Sequence, residues 1–191
     1  MSEIPCKSRG AVLHTQRMVF ERVTAADADD LTELDSDPEV MQYINGGVPV
    51  PREKIVDDVI PRWLAMYEAQ EGLGFFIVRD TASREFFGWF HLRIGHHWKD
   101  ELEIGYRLKR AVWGRGLATE GTKALMRVAF ETLRRPKVMA TTMLPNIASR
   151  RVMEKSGMTF ECEFFEDRWP GEDKKAVKYA VFNPLNSGST L

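Results

Sequence analysis

The sequence is short of several features that would each decide its class. It has two cysteines in 191 residues, Cys6 and Cys162, too far apart for any metal-ligand spacing. That excludes a disulfide framework and a cysteine-built zinc site, and two free thiols suit a reducing cytoplasm. No apolar run approaches the roughly 18 residues of a membrane span. Met1 to Cys6 lacks the basic-then-apolar order of a signal peptide. Net charge is -1, so the overall balance points to neither nucleic acid nor membrane. There is no internal repeat. No full G-x-G-x-x-G and no Gly-Lys-Ser/Thr occurs, which argues against a Rossmann or Walker site. With 43% hydrophobic residues, the chain reads as one soluble cytoplasmic domain over 11–184. Flexible tails are expected at 1–10 and 185–191.

What is present alternates between strand and helix patterns. Strands are expected at 18–23, 74–79, 86–94, 101–108, 137–143, 159–165 and 176–182. In the third, Phe87, Trp89 and His91 alternate with Phe86, Gly88, Phe90 and Leu92, so the strand is apolar on both faces and central. In the fourth, Leu102, Ile104, Tyr106 and Leu108 lie opposite Glu101, Glu103, Gly105 and Arg107. Helices are expected at 25–34 with Thr24 as N-cap, at 37–43, at 52–69 with a kink at Pro61, at 117–133, and at 147–156 ending on Gly157. The result is an α/β chain with a mostly antiparallel meander followed by a strand–helix–strand crossover.

Gly114 and Gly116 fall between the strand ending at Leu108 and the helix beginning at Leu117. A helix N-terminus exposes unpaired N–H groups and the positive end of a dipole. Glycines let the backbone approach an anion closely, so the turn is suited to a phosphate. Lys109, Arg110 and Arg115 would add charge around it. By itself, G-x-G is equally a strand-to-helix turn that needs two glycines for its geometry.

The small net charge conceals an asymmetry. Residues 21–60 hold eleven acids and three bases, a balance of −8, whereas residues 104–155 hold twelve bases and three acids, a balance of +9. These are either solvated helix faces or one region that meets a cation and another that meets an anion.

Four ordered segments carry a family resemblance. They are Leu102-Glu103-Ile104-Gly105-Tyr106-Arg107-Leu108, then Trp113-Gly114-Arg115-Gly116-Leu117-Ala118-Thr119-Glu120, then Asn146-x-x-Ser149, then Met153-Glu154-Lys155-Ser156-Gly157-Met158. In this order they resemble the GNAT superfamily of N-acetyltransferases, in its RimJ/RimL-type branch. Leu13 to Met18 is similar to that branch's first strand, so the resemblance spans about residues 12–183. It implies a single GNAT-type domain: a mixed, mostly antiparallel twisted sheet of about seven strands flanked by helices. The strands at 101–108 and 137–143 would splay apart.

The resemblance also implies acetyl-CoA as co-substrate and no metal. Gly114, Arg115, Gly116, Leu117, Ala118 and Thr119 would surround the pyrophosphate. Trp113 stands where the family has Gln or Arg, which leaves its orientation open. Tyr106, Leu108, Asn146 and Ser149 would line the pantetheine arm, and the Leu108 N–H would polarise the thioester carbonyl. Catalytic roles would fall on Leu108, on Ser149 as proton donor to the thiolate, and on Glu103 as base, acting directly or through water. No tyrosine lies between Tyr106 and Tyr179, which favours Ser149 over the helix tyrosine common elsewhere in the superfamily. From the residues alone, Asn146 is equally a helix cap, Ser149 a solvent-facing hydroxyl, and Glu103 a partner of Arg107 or His91.

The reaction would be direct attack by a primary amine in a ternary complex. A protein α-amino group has a pKa near 8, whereas neutralising a lysine-type amine at pH 7 costs about 4.6 kcal/mol, so only the second needs a strong base. The acidic window suggests a cationic acceptor: a protein N-terminus, a polyamine or an aminoglycoside. A non-catalytic acyl-CoA sensor is the alternative of another class. Neither nucleic acid nor membrane is expected as a partner; a homodimer, common in the branch, is left open. Met41, Tyr43 and Ile44 are candidate acceptor-pocket residues, and Trp63, Trp89 and Trp113 are expected in the core or pocket wall. His96-His97-Trp98 reads as a hairpin tip whose imidazoles point apart, so no metal site is expected there.

Overall fold

The computed structural model describes residues 11–69 and 71–184. The two expected tails and Cys6 lie outside the described residues. Eight strands form one sheet in the order β1-β2-β3-β4-β5-β6-β8-β7. They are β1 (Ala11–His14), β2 (Met18–Arg22), β3 (Gly74–Asp80), β4 (Phe86–Ile94), β5 (Leu102–Leu108), β6 (Lys137–Met143), β7 (Thr159–Phe165) and β8 (Lys175–Phe182). The strand beyond the expected seven is β1. Thr15 closes a tight turn, its N–H donating to the Met18 carbonyl at 2.8 Å, so the 13–18 segment doubles back as a hairpin instead of running on as one strand.

One face of the sheet carries α5 (Leu117–Arg127), which continues into a π-helical turn (Val128–Thr132), and α6 (Ile147–Lys155). The amphipathic stripe of α5 packs Leu117, Leu125 and Ala129 on Phe90, Leu102, Ile104 and Leu108. Gly121 lies directly on Phe90, where a Cβ would come within 2.3 Å of the ring. The other face carries α1 (Ala28–Ser36), α2 (Pro38–Asn45), α3 (Arg52–Lys54) and α4 (Ile60–Ala69). Its core joins Leu31, Leu34, Ile55, Ile60 and Trp63 to Ile77 and Trp89. The kink expected at Pro61 takes the form of a π-helical turn over Ile55–Val59. Proline has no N–H to donate back along the helix, and the wider turn accommodates the gap.

Six of the seven neighbouring strand pairs run antiparallel, and β5 and β6 form the parallel pair. Their register holds only at Leu102↔Val138 and Glu103↔Met139. Beyond that β5 stays with β4 as far as Leu108, and β6 stays with β8 as far as Met143. The closed end is clamped by charge: Lys178, 2% exposed, meets Glu101 at 2.9 Å and Glu161 at 2.7 Å, and Lys137 meets Glu101 at 3.2 Å. Held at one end and drawn toward different partners, the two strands open the expected splay.

Candidate active site

The splay has two faces, and the site residues divide between them. Lys109 donates its N–H to the Phe87 carbonyl at 2.8 Å, on the β4 side. Alternation along a strand therefore turns the main-chain groups of Leu108 and Tyr106 the other way, into the gap. The Leu108 carbonyl is already taken by the Trp113 indole N–H at 2.8 Å; its N–H faces the opening. That settles the orientation of Trp113, which is 47% exposed and is neither core nor buried wall.

Past β5, a 3-10 turn (Arg110–Val112) leads to Gly114 and Gly116, at φ +73° and +79°. A left-handed backbone there strongly favours glycine. Nothing lies within 4 Å of the space a Gly114 Cβ would fill, and Gly116 caps α5. The turn therefore presents the free N–H groups of Leu117, Ala118 and Thr119 beside open space, as a phosphate requires. Arg17, which the motif reading did not single out, braces the turn. It donates to the Arg115 carbonyl at 2.8 Å and pairs with Glu120 at 2.6 Å. The only sequence trace of that role was its place in the 13–18 segment.

Two further groups stand on this face. Asn146 caps α6, its side-chain oxygen accepting from the Ser149 N–H at 3.1 Å. The Ser149 hydroxyl lies 3.1 Å from the Tyr106 hydroxyl, so β5 and α6 are joined across the gap. Burial pushes the Tyr106 phenol up to about 12, against the opposing pull of its bond to Ser149. The phenol therefore stays protonated and can donate at any physiological pH.

On the opposite face Glu103 is buried, and its partners are neither of the two expected. Thr141 donates to one carboxylate oxygen at 2.8 Å and Arg93 lies 2.6 Å from the other. His91 is at 3.9 Å, too far for a hydrogen bond. Arg107 turns instead to Asp35 of α1 at 2.5 Å, with its guanidinium stacked over Trp89. The β7–β8 loop closes over this side: Arg168, paired with Glu166 at 2.6 Å, also feels the Glu103 charge.

The charge asymmetry needs correction. Lys109 does not face the phosphate turn; it pairs with Glu33 at 2.6 Å. Arg110 pairs with Asp37 at 3.1 Å and with Glu39 at 2.5 Å. With Arg107–Asp35 added, the basic window neutralises part of the acidic one, and Arg79 covers Asp27 and Asp30. A cleft of about 500 Å³ lies among these pairs, lined by Glu33, Leu34, Asp37, Val40, Lys109, Arg110 and Ala111. Met41 is core, 2% exposed, whereas Ile44 is on the surface. Trp63 and Trp89 are buried as expected. The two hairpin-tip imidazoles do not diverge: the His96 and His97 rings meet at 4.8 Å. With Asp167 their ligand atoms fall within 4.8 Å of one another. All three are exposed, and water can satisfy them.

A splayed parallel pair, a glycine turn capping the next helix, and polar groups on both faces of the gap define an acyl-transfer scaffold. The chain matches the model of the acetyltransferase (GNAT) domain over residues 17–159. It belongs to that family: an acyltransferase with acetyl-CoA as co-substrate. It is 32% identical over 179 residues to the FsC-acetyl coenzyme A-N(2)-transacetylase of Aspergillus fumigatus, covering 88% of this chain and 75% of that protein. A GNAT-family acetyltransferase structure from Bacillus anthracis superposes with a TM-score of 0.72 at 23% identity, covering 89% of this chain and 97% of that one. RimL, the ribosomal L7/L12 alpha-N-protein acetyltransferase in complex with coenzyme A, superposes with a TM-score of 0.77 at 14% identity, covering 91% and 98%. At those identities the two structures show the fold. Among the described residues, no helix is long and apolar enough to cross a membrane.

Proposed function

We propose that the protein transfers an acetyl group from acetyl-CoA to a primary amine, with the donor held on the α5/α6 face of the splay and the acceptor entering from the α1–α4 face. One observation carries this reading: β5 and β6 part just beyond Glu103↔Met139, with a buried carboxylate at that last pairing and a glycine-built anion turn past the far end of β5. The co-substrate supplies an activated acetyl thioester. Gly114, Arg115, Gly116, Leu117, Ala118 and Thr119 hold its pyrophosphate through backbone N–H groups, and Trp113 walls the arm. The gap-facing N–H groups of Leu108 and Tyr106 pair with the pantetheine, and that of Leu108 polarises the carbonyl. The Asn146 amide nitrogen is left to donate to the arm, because its oxygen caps α6. Ser149, backed by the Tyr106 phenol, delivers a proton to the departing sulfur.

Glu103 is the base. Five residues at about 3.3 Å each place its Cα about 16 Å along β5 from that of Leu108, so it draws the amine proton through a chain of waters. The acceptor is a small-molecule amine: the A. fumigatus relative, by its name, acetylates an N2 position, and it shares far more sequence with this chain than RimL does. A protein N-terminus, the reading tied to the RimJ/RimL branch, rests on a 14% likeness. The ion pairs of Lys109 and Arg110 weaken the draw for a polycation, so acceptor charge contributes less than fit. The test is thiol release from acetyl-CoA across a panel of small amines, polyamines, aminoglycosides and peptides, with Glu103→Gln alongside. Turnover with one amine class, strongly reduced in Glu103→Gln, is expected. Tight acetyl-CoA binding with no thiol release from any amine would support the sensor module instead.

A further inference from the structure

His91 has no role in the mechanism above, yet its surroundings are built to keep an imidazole. It is 7% exposed, on the acceptor face of β4, directly opposite Gly105. A Cβ on Gly105 would come within 2.5 Å of the ring, so the glycine provides the space that the imidazole occupies. Trp89 and Phe75 pack on it, with ring centroids at 5.9 and 5.0 Å. In such a wall a phenylalanine would pack as well and leave no polar atom without a partner. Instead His91 Nδ1 is buried with no hydrogen-bond partner. A buried polar atom left so is uncommon, since it costs about 1–3 kcal/mol.

The carboxylate oxygen that Arg93 meets at 2.6 Å also lies beside the ring. His91 Nε2 is 3.9 Å from Glu103 Oε2, and closing by less than about 1 Å would make a hydrogen bond. Burial first, then the positive charges of Arg93 and Arg107, hold the imidazole well below its ordinary pKa, so it is neutral and has one N–H to give. Two tautomers compete. With the proton on Nε2, the ring can donate to Glu103. With it on Nδ1, Nε2 accepts from Arg93 Nε, at 3.4 Å a long bond.

We propose that His91 is the positioning residue for Glu103: its Nε2–H donates to Oε2 beside Arg93 and fixes the direction in which the carboxylate faces the acceptor. The role rests on the reading of Glu103 as the base. His91 touches neither the acetyl donor nor the amine; it acts through the carboxylate. The charged groups around it are Arg93 on its own strand, Glu103 and Arg107 on β5, and Arg168 reaching in from the β7–β8 loop.

The test compares His91→Phe with His91→Gln, because the first keeps the packing and the second keeps an N–H donor. His91→Phe is expected to lower kcat at least tenfold, with acetyl-CoA affinity within twofold of the wild type. His91→Gln should retain severalfold more turnover than His91→Phe. A packing role reverses that order, and Phe performing as well as Gln overturns the proposal. A second measurement needs no acceptor: ¹⁵N spectra of the imidazole nitrogens in the full-length protein, with His91 assigned by its loss in His91→Phe. The proposal expects a neutral Nε2–H tautomer from pH 6 to 8 whose shift moves in Glu103→Gln. An Nδ1–H tautomer indifferent to Glu103→Gln overturns it. If no amine supports wild-type turnover, the proposed function fails, and the spectra still decide whether His91 and Glu103 are coupled.

Discussion

The two faces of the splay are built differently. The α5/α6 face is made of backbone: a glycine turn, free N–H groups at the start of a helix, and gap-facing amides on β5. The α1–α4 face is made of side chains drawn from separate elements: Glu103 and Arg107 from β5, His91 and Arg93 from β4, Thr141 from β6, and Asp35 from α1. Backbone groups can hold the invariant part of a substrate whatever the neighbouring side chains are. Side chains are free to vary with the acceptor. The proposed donor site is therefore legible as a motif, and the proposed acceptor site becomes visible only once the strands are paired.

The sharpest way to break that division is Glu103→Gln. The carboxamide keeps the shape and the Thr141 contact but cannot take a proton. We expect kcat to fall by about 10²–10³-fold, within the range of general-base catalysis, with acetyl-CoA affinity unchanged. A large loss of coenzyme affinity in isothermal titration would mean that the faces are not separate. Gly116→Val should do the reverse. At φ +79° a β-branched residue is strained, by about 1–3 kcal/mol. Coenzyme affinity should drop on the order of a hundredfold, roughly 2.7 kcal/mol, with a lowered melting temperature. Affinity within threefold of the wild type would remove the turn from its role.

Ser149→Ala should lower kcat by about tenfold, toward the low end of general-acid effects, with little change in coenzyme affinity. Tyr106→Phe tests whether the two hydroxyls act as a unit. If they do, the double variant is no slower than the slower single variant, a non-additive cycle. Multiplying effects would mean that the 3.1 Å contact is only structural.

The sheet, both long helices and the splay were readable because each follows from periodicity, from a glycine, or from the order of the four motif segments. Three features were not. The doubling-back at Thr15 depends on a side-chain and backbone turn within a stretch that alternates like a single strand. The partner of Glu103 depends on register: Arg93 lies opposite it across β4–β5, whereas the expected partner Arg107 lies four residues further along, opposite Trp89 and beside Asp35. The balance of charge depends on which helix lies beside the end of β5, and no window sum along the chain contains that. Gly105 shows the limit well. It looks like one more strand glycine, and only the pairing with His91 explains the missing side chain.

His91 also links the acceptor face to stability. Its buried ring stays neutral, whereas in the unfolded chain it titrates near 6.5. Below that pH the unfolded chain binds a proton that the native protein refuses. The contribution is complete above about 6.5 and is lost as pH falls toward the native value, by up to about 1.4 kcal/mol per pH unit. Urea unfolding at pH 7.5 and 5.5 should show a larger loss for the wild type than for His91→Phe, in which that slope is absent. Equal losses would mean that the ring is reached by water and protonates in place.

The smallest effect concerns the cleft where the charged windows meet. Lys109, Arg110 and their carboxylates are at least partly exposed, so these pairs contribute about 0–1 kcal/mol each and their removal should barely change stability. What changes is the field. Replacing both bases with alanine frees Glu33, Asp37 and Glu39 at the rim of a 500 Å³ cleft. If the acceptor enters there, kcat/KM for a polycationic amine should rise a few-fold at low salt. The gain should vanish near 1 M salt, where the screening length is about 3 Å, and a neutral amine should gain nothing. A double variant that treats both amines alike at every salt concentration would place the acceptor's entry elsewhere, nearer the β7–β8 loop and Arg168. The two faces would still be distinct, but the acidic helices would then serve only to hold the end of β5.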